Sequence, residues 1–458
     1  MARGKKKEAA LSPAERLQAT LVPESEQPYK VPENWCWVSL QTIDQYHSSS
    51  VDPSKYPSDL FELYSVPSSA NDYPEIVRGD EIGSTKQSVK KGDVLLCKIN
   101  PRINRVWKVS QYTENTLLAS SEWIIIRNSE INSDYLMYCF RAPYFREYML
   151  SNVSGVGGSL MRAQPKYVKT YPVPIPPFSE QQRIVDRIES LFAKLDEAKQ
   201  KAQDALDSFE TRKAAILHKA FNGELTALWR KEHGVGMESW KKSTVGQVCC
   251  DVKVGIVIKP SQYYTDKEKG TPAFRSANVR ENHIDNFDWV YLNHVGMENN
   301  SRSVVHTGDV LVVRSGNPGT ACVVSEKFDG YNAIDILIAV PDHKQISSEF
   351  LCNYTNSPFG KTLIFENKRG MALAHFNVKG YSELPISVPQ LDEQTEIVHI
   401  LDDLLAKERQ AKEAAEKVLE QIDLTKKAIL ARAFRGELGT NDPSEESSVE
   451  LLKTCYNG

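Results

Sequence analysis

Residues 172–181 read PVPIPPFSEQ and residues 385–394 read PISVPQLDEQ. Residues 213–225 read KAAILHKAFNGEL and residues 426–438 read KKAILARAFRGEL. A single offset of 213 positions superimposes both pairs. A long internal repeat constrains the architecture before any short motif does. Two copies are too few for a solenoid, so the pattern points to a pseudo-twofold chain, a dimer fused into one polypeptide.

The repeated segments divide the 458 residues. Residues 1–30 form a basic N-terminal arm without the apolar stretch of a secretory signal. Residues 31–177 form a first globular unit and 178–222 a long helix. A link at 223–235 leads to a second globular unit at 236–389 and a second long helix at 391–435. A polar tail at 439–458 is expected to fray. In the first helix, Ile184, Ile188, Leu191, Leu195, Ala198, Ala202, Ala205, Phe209 and Ile216 follow alternating steps of four and three, broken by Arg212. In the second, Ile397, Leu401, Leu404, Ala411, Ala415, Val418, Ile422 and Ile429 repeat the pattern, broken by Glu408 and Thr425. Such a heptad stripe needs a partner, and the simplest partner is the other helix of the same chain, paired antiparallel. Ser179 with Gln182, and Asp392, are placed to cap the helix starts, and Gly223 and Gly436 to end them. The globular units read as mixed α/β. Their strand-like runs are 93–97, 123–126, 309–313 and 335–339, and a GDVL turn opens the first and third.

Hydrophobic content of 41% and charged content of 25% are those of a globular protein, and no apolar run is long enough to cross a membrane. The eight cysteines show no CxxC spacing, which predicts free thiols in a reducing cytoplasm and no metal site. Catalytic signatures are missing. There is no GxxxxGK[ST]. FNGEL and FRGEL lack the second glycine of an FxGxG cofactor motif. IPPF at 175–178 has Ile175 where a methyltransferase needs a polar residue. GVGGS at 155–159 reads as a loop, and the nine histidines are scattered.

A net charge of −4 excludes a uniformly basic nucleic-acid binder, so such a role must rest on local patches. Residues 31–89 carry three Lys/Arg against nine Asp/Glu, whereas 90–177 carry twelve against six. The basic run includes Lys98, Asn100, Arg102, Asn104, Arg105 and Lys108. Asn and Arg make bidentate contacts to base edges, and Lys suits phosphate. After its own GDVL strand the second unit has Arg314, Asn317 and Thr320. A loop before each exit strand adds Ser159, Arg162, Gln164 and Lys166 in the first copy. Lys368, Arg369, His375, Asn377 and Lys379 stand in the second.

The doubled order of globular unit, [VI]P-[PQ]-[FL]-[SD]-EQ, long helix and K-[AK]-AIL-x-[KR]-AF-x-GEL resembles the specificity subunit of type I restriction-modification systems, over residues 31–438. Phe178 and Gln390 depart from the family's usual Leu and Pro. The resemblance implies an α+β fold: two pseudo-symmetric mixed α/β target recognition domains separated by two long antiparallel coiled-coil-like helices. It implies a non-catalytic subunit in a prokaryotic cytoplasm. Each domain would read half of a bipartite, asymmetric double-stranded DNA target. The helices would set the spacer and dock two modification subunits, through which restriction subunits join. No cofactor is expected on this chain; S-adenosylmethionine, ATP and Mg are expected in the partners. A self-contained methyltransferase and a protein-only scaffold are the competing readings. The ruler idea also predicts that four residues inserted after Gly223 are tolerated.

Overall fold

The computed structural model describes residues 18, 20–155, 161–369 and 376–457, with 365–369 and 454–457 described by their backbone only. The chain divides into two compact units, Met1–Lys201 with Val418–Gly458, and Ala202–Lys417. The boundaries cut both long helices, so each unit owns one globular part and one end of each helix.

In the first unit, strand Cys36–Ser39 enters and pairs antiparallel with the exit strand Pro172–Ile175. Between them stand a five-stranded and a three-stranded sheet. The latter has Val94–Cys97 at its centre, flanked by Val106–Lys108 and Trp123–Ile126. Val94, Leu96, Ile124 and Ile126 face the main core and Leu95, Cys97, Trp123 and Ile125 a second one, so both faces of this sheet are buried. The second unit repeats the frame. Lys241–Thr244 pairs with Pro385–Val388, and Val310–Val313 lies between Ala321–Val323 and Ile336–Pro341 in a four-stranded sheet. The four strand runs expected from sequence are all present.

The first long helix is Phe178–Asp207 followed by Phe209–Phe221, and the second is Leu391–Ala433 without interruption. At the break, the Ser208 hydroxyl donates to the carbonyl of Asp204 at 2.8 Å, the back-bonding that bends helices. Pairing is antiparallel within each unit. In the first, Lys426 bonds Asp196 at 2.5 Å and Ile184 and Ile188 pack in one core with Leu430 and Ala433. In the second, Arg212 meets Glu408 at 2.9 Å and Leu217 shares a core with Ile397 and Leu401.

The stripe itself is shifted from the expected one. Ile184, Ile188, Ala202, Phe209, Ile397, Leu401, Ala415 and Ile422 are buried, and Leu191, Leu195, Ala198, Ile216, Leu404 and Ile429 half-buried. Ala205, Ala411 and Val418 are exposed. Leu405, Lys412, Leu419 and Lys426 occupy the inner face instead, one position further along. Two lysine stems complete it: Lys412 lies 5.0 Å over the Phe209 ring and Lys426 4.9 Å over Phe192. Arg212 and Glu408, two of the three apparent defects, are each other's partner.

The EQ pair of the repeat begins each helix. Gln181 and Gln394 are fully buried. Gln181 accepts from the Asn132 amide at 2.8 Å and donates to the Pro176 carbonyl at 3.2 Å. Gln394 does the same with Ser347 at 2.8 Å and Pro389 at 2.9 Å. Glu180 accepts from Trp35, Thr440 and Asn441 at 2.7, 3.1 and 2.9 Å. Glu393 accepts from Thr226 and Arg230 at 2.7 and 2.6 Å. Ser179 is no cap: it lies inside the first turn and donates to Glu445 at 2.6 Å. Leu391 likewise puts Asp392 inside the second helix. Gly223 and Gly436 do end the helices at φ of 84° and 75°, a region open to glycine.

One further expectation fails. The tail after Gly439 is anchored rather than frayed. Glu445 holds Arg183 through bonds of 2.9 and 2.7 Å, and Ser448–Asn457 is a helix whose Leu452 is fully buried in the first unit's core. The apolar residues of VELL supply that stripe. The link is held as well. Arg230 reaches back to the Gly223 carbonyl at 2.6 Å while bonded to Glu393, so four residues inserted there would part this clamp. The 213-position repeat makes tail and link equivalent closures of their units.

Arg212 and Glu408 are only partly exposed, so losing one leaves the other poorly solvated. Arg212→Leu or Glu408→Leu alone should cost about 1 kcal/mol, near 2–4 °C in melting temperature. The double Leu variant should recover that loss in a thermal melt of the full chain.

Candidate nucleic-acid interface

Each GDVL turn is built for a left-handed glycine, with Gly92 at φ 91° and Gly308 at φ 92°. The following aspartate closes the turn. Asp93 accepts from the Lys90 amide at 2.8 Å, and Asp309 from the His306 amide at 2.8 Å. Arg127 clamps Asp93 through two bonds of 2.7 and 2.6 Å. Burial pushes the Asp309 carboxyl above its ordinary range, with the His306 amide bond opposing it. The strand after each turn delivers a loop, 98–105 in the first unit and 314–320 in the second.

These loops meet the ones that precede the exit strands. The Ala163 amide donates to the Lys98 carbonyl at 2.8 Å, and at the equivalent place the Phe376 amide donates to Arg314 at 3.1 Å. In the first unit the Asn100 amide also bonds Met161 at 2.8 Å, and Ile99 pairs with Arg162. Segments about 60 residues apart in sequence are thus joined through the backbone in each unit. Arg146, absent from the sequence candidates, braces the loop by donating to the Arg102 carbonyl. Its counterpart Lys361 instead bonds Glu281, together with Lys213. Burial opposes ionisation of Glu281, yet the two lysines hold its carboxyl below the ordinary value. Both Arg146 and Lys361 stand three residues after a helix-opening proline, a signal that could have marked Arg146.

Of the candidates, Arg102, Arg162, Lys166, Asn317 and Lys379 are exposed. Arg162 pairs with Glu122 at 3.0 Å, and the Lys166 ammonium lies 4.6 Å over the Tyr167 ring. Lys98, Asn100, Arg105 and Gln164 are half-buried at the rim, and Asn100 sits at φ 44° with its side-chain oxygen unpaired. Arg314 bonds Asp335 at 3.3 Å and keeps an unpaired, buried Nε. Others serve the fold. Asn104 donates to the Arg141 carbonyl at 3.0 Å, Lys108 pairs with Asp134, and Asn377 caps a helix through the Gly380 amide at 2.8 Å. Thr320 is 4% exposed and therefore cannot reach a ligand at the surface. Lys368 and Arg369 lie on helix Pro358–Arg369, and Ser159 and His375 fall outside the described residues.

A profile of the family described as type I restriction modification DNA specificity domain matches residues 60–206 and 237–421. The chain belongs to that family. The specificity subunit of the type I restriction enzyme EcoKI, from Escherichia coli strain K12, is 25% identical over 317 residues, covering 67% of this chain and 66% of that protein. That of StySPI from Salmonella potsdam is 24% identical over 320 residues, again 67% and 66%. The matched stretch thus spans slightly under two thirds of those relatives. The HsdS subunit from Thermoanaerobacter tengcongensis superimposes with a TM-score of 0.66 at 22% identity, covering 90% of this chain and all of that one. A second structure, described in a study of complex assembly and conformational transition of the type I R-M system, gives 0.69 at 22% identity and 90% coverage. These likenesses establish the specificity-family fold, α+β with two domains and long helices.

Among the described residues of this family member, no group of His, Cys, Asp and Glu is placed to hold a metal ion, and no helix is long and apolar enough to cross a membrane. The seven cysteines whose side chains are described are free thiols, and burial pushes Cys249 and Cys322 up to about 12, too high for a thiolate nucleophile at neutral pH.

Removing Arg102 or Lys166 should lower the slope of log affinity against log salt by about one each in DNA titrations. Thr320→Val should leave DNA affinity unchanged. Deleting its buried, unpaired hydroxyl should hold stability or raise it by about 1 kcal/mol in a thermal melt.

Proposed function

We propose that this chain is the sequence-recognition subunit of a type I restriction-modification complex, and that each unit reads one half of a bipartite, asymmetric DNA target. One observation carries the reading. The two units join their strand-end loop to their pre-exit loop through an equivalent backbone hydrogen bond, Ala163 to Lys98 and Phe376 to Arg314, yet arm that surface with different residues. A common frame with different side chains is what two readers of different half-sites require. The EcoKI relative carries the specificity-subunit name, which supports the same assignment.

The chain's own part is binding. Exposed cations such as Arg102, Lys166 and Lys379 would neutralise phosphates and set the domain on the duplex, and Asn317 or Arg162 would reach base edges. The long helices would set the distance between half-sites and dock two modification subunits, with restriction subunits joining through these. Methyl transfer and cleavage, with S-adenosylmethionine, ATP and Mg, would belong to those partners in a prokaryotic cytoplasm.

Exchanging residues 36–175, bounded by the paired entry and exit strands, for the same segment of another specificity subunit should change one half of the methylated motif. Methylome sequencing of a host carrying the hybrid and its modification subunit reads this directly. A change in both halves, or methyl transfer by the purified chain alone, would contradict the reading.

A further inference from the structure

Just ahead of its entry strand, the first unit places Pro28 and Tyr29 against a wall formed by Trp37, Tyr144 and Arg435. The Tyr29 ring meets Trp37 edge-on at 5.1 Å and Tyr144 at 5.5 Å, and the Arg435 guanidinium lies 5.3 Å above it. The repeat places an equivalent wall in the second unit. Lys242 pairs with Ser387 as Trp37 pairs with Pro174. Phe359 follows a helix-opening proline as Tyr144 does. Asn222 and His218 stand where the first unit has Arg435 and Ala431.

In the second unit this wall surrounds a cavity of about 340 Å³ lined by His218, Phe221, Asn222, Lys242, Phe359 and Ser387. Phe359 is 51% exposed, a large ring in a helix's first turn. The difference follows from chain order. The first entry strand is preceded by a segment of its own, Thr20 to Trp35, that carries Tyr29. The second entry strand is reached through the link, whose Arg230 is committed to Glu393, and among the described residues nothing takes the part of Tyr29 there.

We propose that the second unit's cavity receives an aromatic side chain, preceded by a proline, from a partner polypeptide, seated as Tyr29 is on the first unit. Lys242 in place of Trp37 makes the rim cationic, so the partner segment carries acidic residues on either side of the proline–aromatic pair. This proposal does not rest on the reading of DNA by the two units.

The chain supplies the probe. A fluorescein-labelled peptide of residues 24–33, ESEQPYKVPE, contains the proline, the tyrosine and flanking glutamates. Titrated with the full chain and followed by anisotropy, it should bind saturably. A peptide with Tyr29→Ala should bind roughly 10-fold more weakly or worse, as loss of a central aromatic anchor does. Phe359→Ala, which removes the exposed wall, and His218→Trp, which fills the cavity from the helix surface, should each weaken the native peptide to a similar degree. No saturable binding, or binding that both variants leave unchanged, would overturn the proposal. Self-association of the full chain in sedimentation, abolished by Phe359→Ala, would also overturn it by assigning the cavity to a second copy.

Discussion

Two buried glutamines hold the frame. Each spends its side-chain amide on a carbonyl of the exit segment and its oxygen on the amide that starts a domain helix, Asn132 for Gln181 and Ser347 for Gln394. With neither exposed, an unmade bond would leave a polar group without water, a penalty of about 1–3 kcal/mol. The exit strand, the domain's helical face and the long helix therefore meet at one fixed angle. The neighbouring glutamates extend the constraint to the chain's closures. Glu180 binds the tail through Thr440 and Asn441, and Glu393 binds the link through Thr226 and Arg230. A repeat that conserves EQ between two otherwise divergent copies is repeating this joint.

On that frame the two copies are free to differ. Arg146 braces the carbonyl of Arg102, while Lys361 at the same helix position binds Glu281. The helices differ too. Arg212 with Glu408 is a polar pair inside the stripe, and the positions related by the 213-residue offset hold Thr425 and Leu195. An ion pair at only one of two equivalent sites penalises a helix register that would swap or slide the ends, because a shift would leave both charges against apolar neighbours.

The repeat made the architecture legible: exit strands, long helices and their glycine stops all stand where the shared motifs put them, whereas the entry strands, CWVS and KKST, share no motif. What failed was decided by neighbours distant in sequence. The stripe moved onto Leu405, Lys412, Leu419 and Lys426 because lysine stems can cover Phe209 and Phe192, which a count of apolar residues cannot register. Ser179 reads as a cap locally, but Glu445, 266 residues away, takes its hydroxyl. The tail looked solvated because its polar residues outnumber Leu451 and Leu452, yet those two leucines and Arg183 suffice to dock it. In the candidate interface, the joining of the two basic loops could not be read from sequence, since it runs through backbone bonds. Composition likewise could not separate Asn104 and Lys108, spent on the fold, from Arg102, which faces solvent.

The central claim is that each unit meets its own half of one DNA target through this joined surface. Lys166 and Lys379 occupy equivalent, exposed positions and allow it to be tested directly. A photo-crosslinking amino acid placed at one or the other, in the chain assembled with its modification subunits on target DNA, should trap bases of opposite half-sites, one per position. Crosslinks from both positions to the same half-site, or none to DNA from either, would contradict the account.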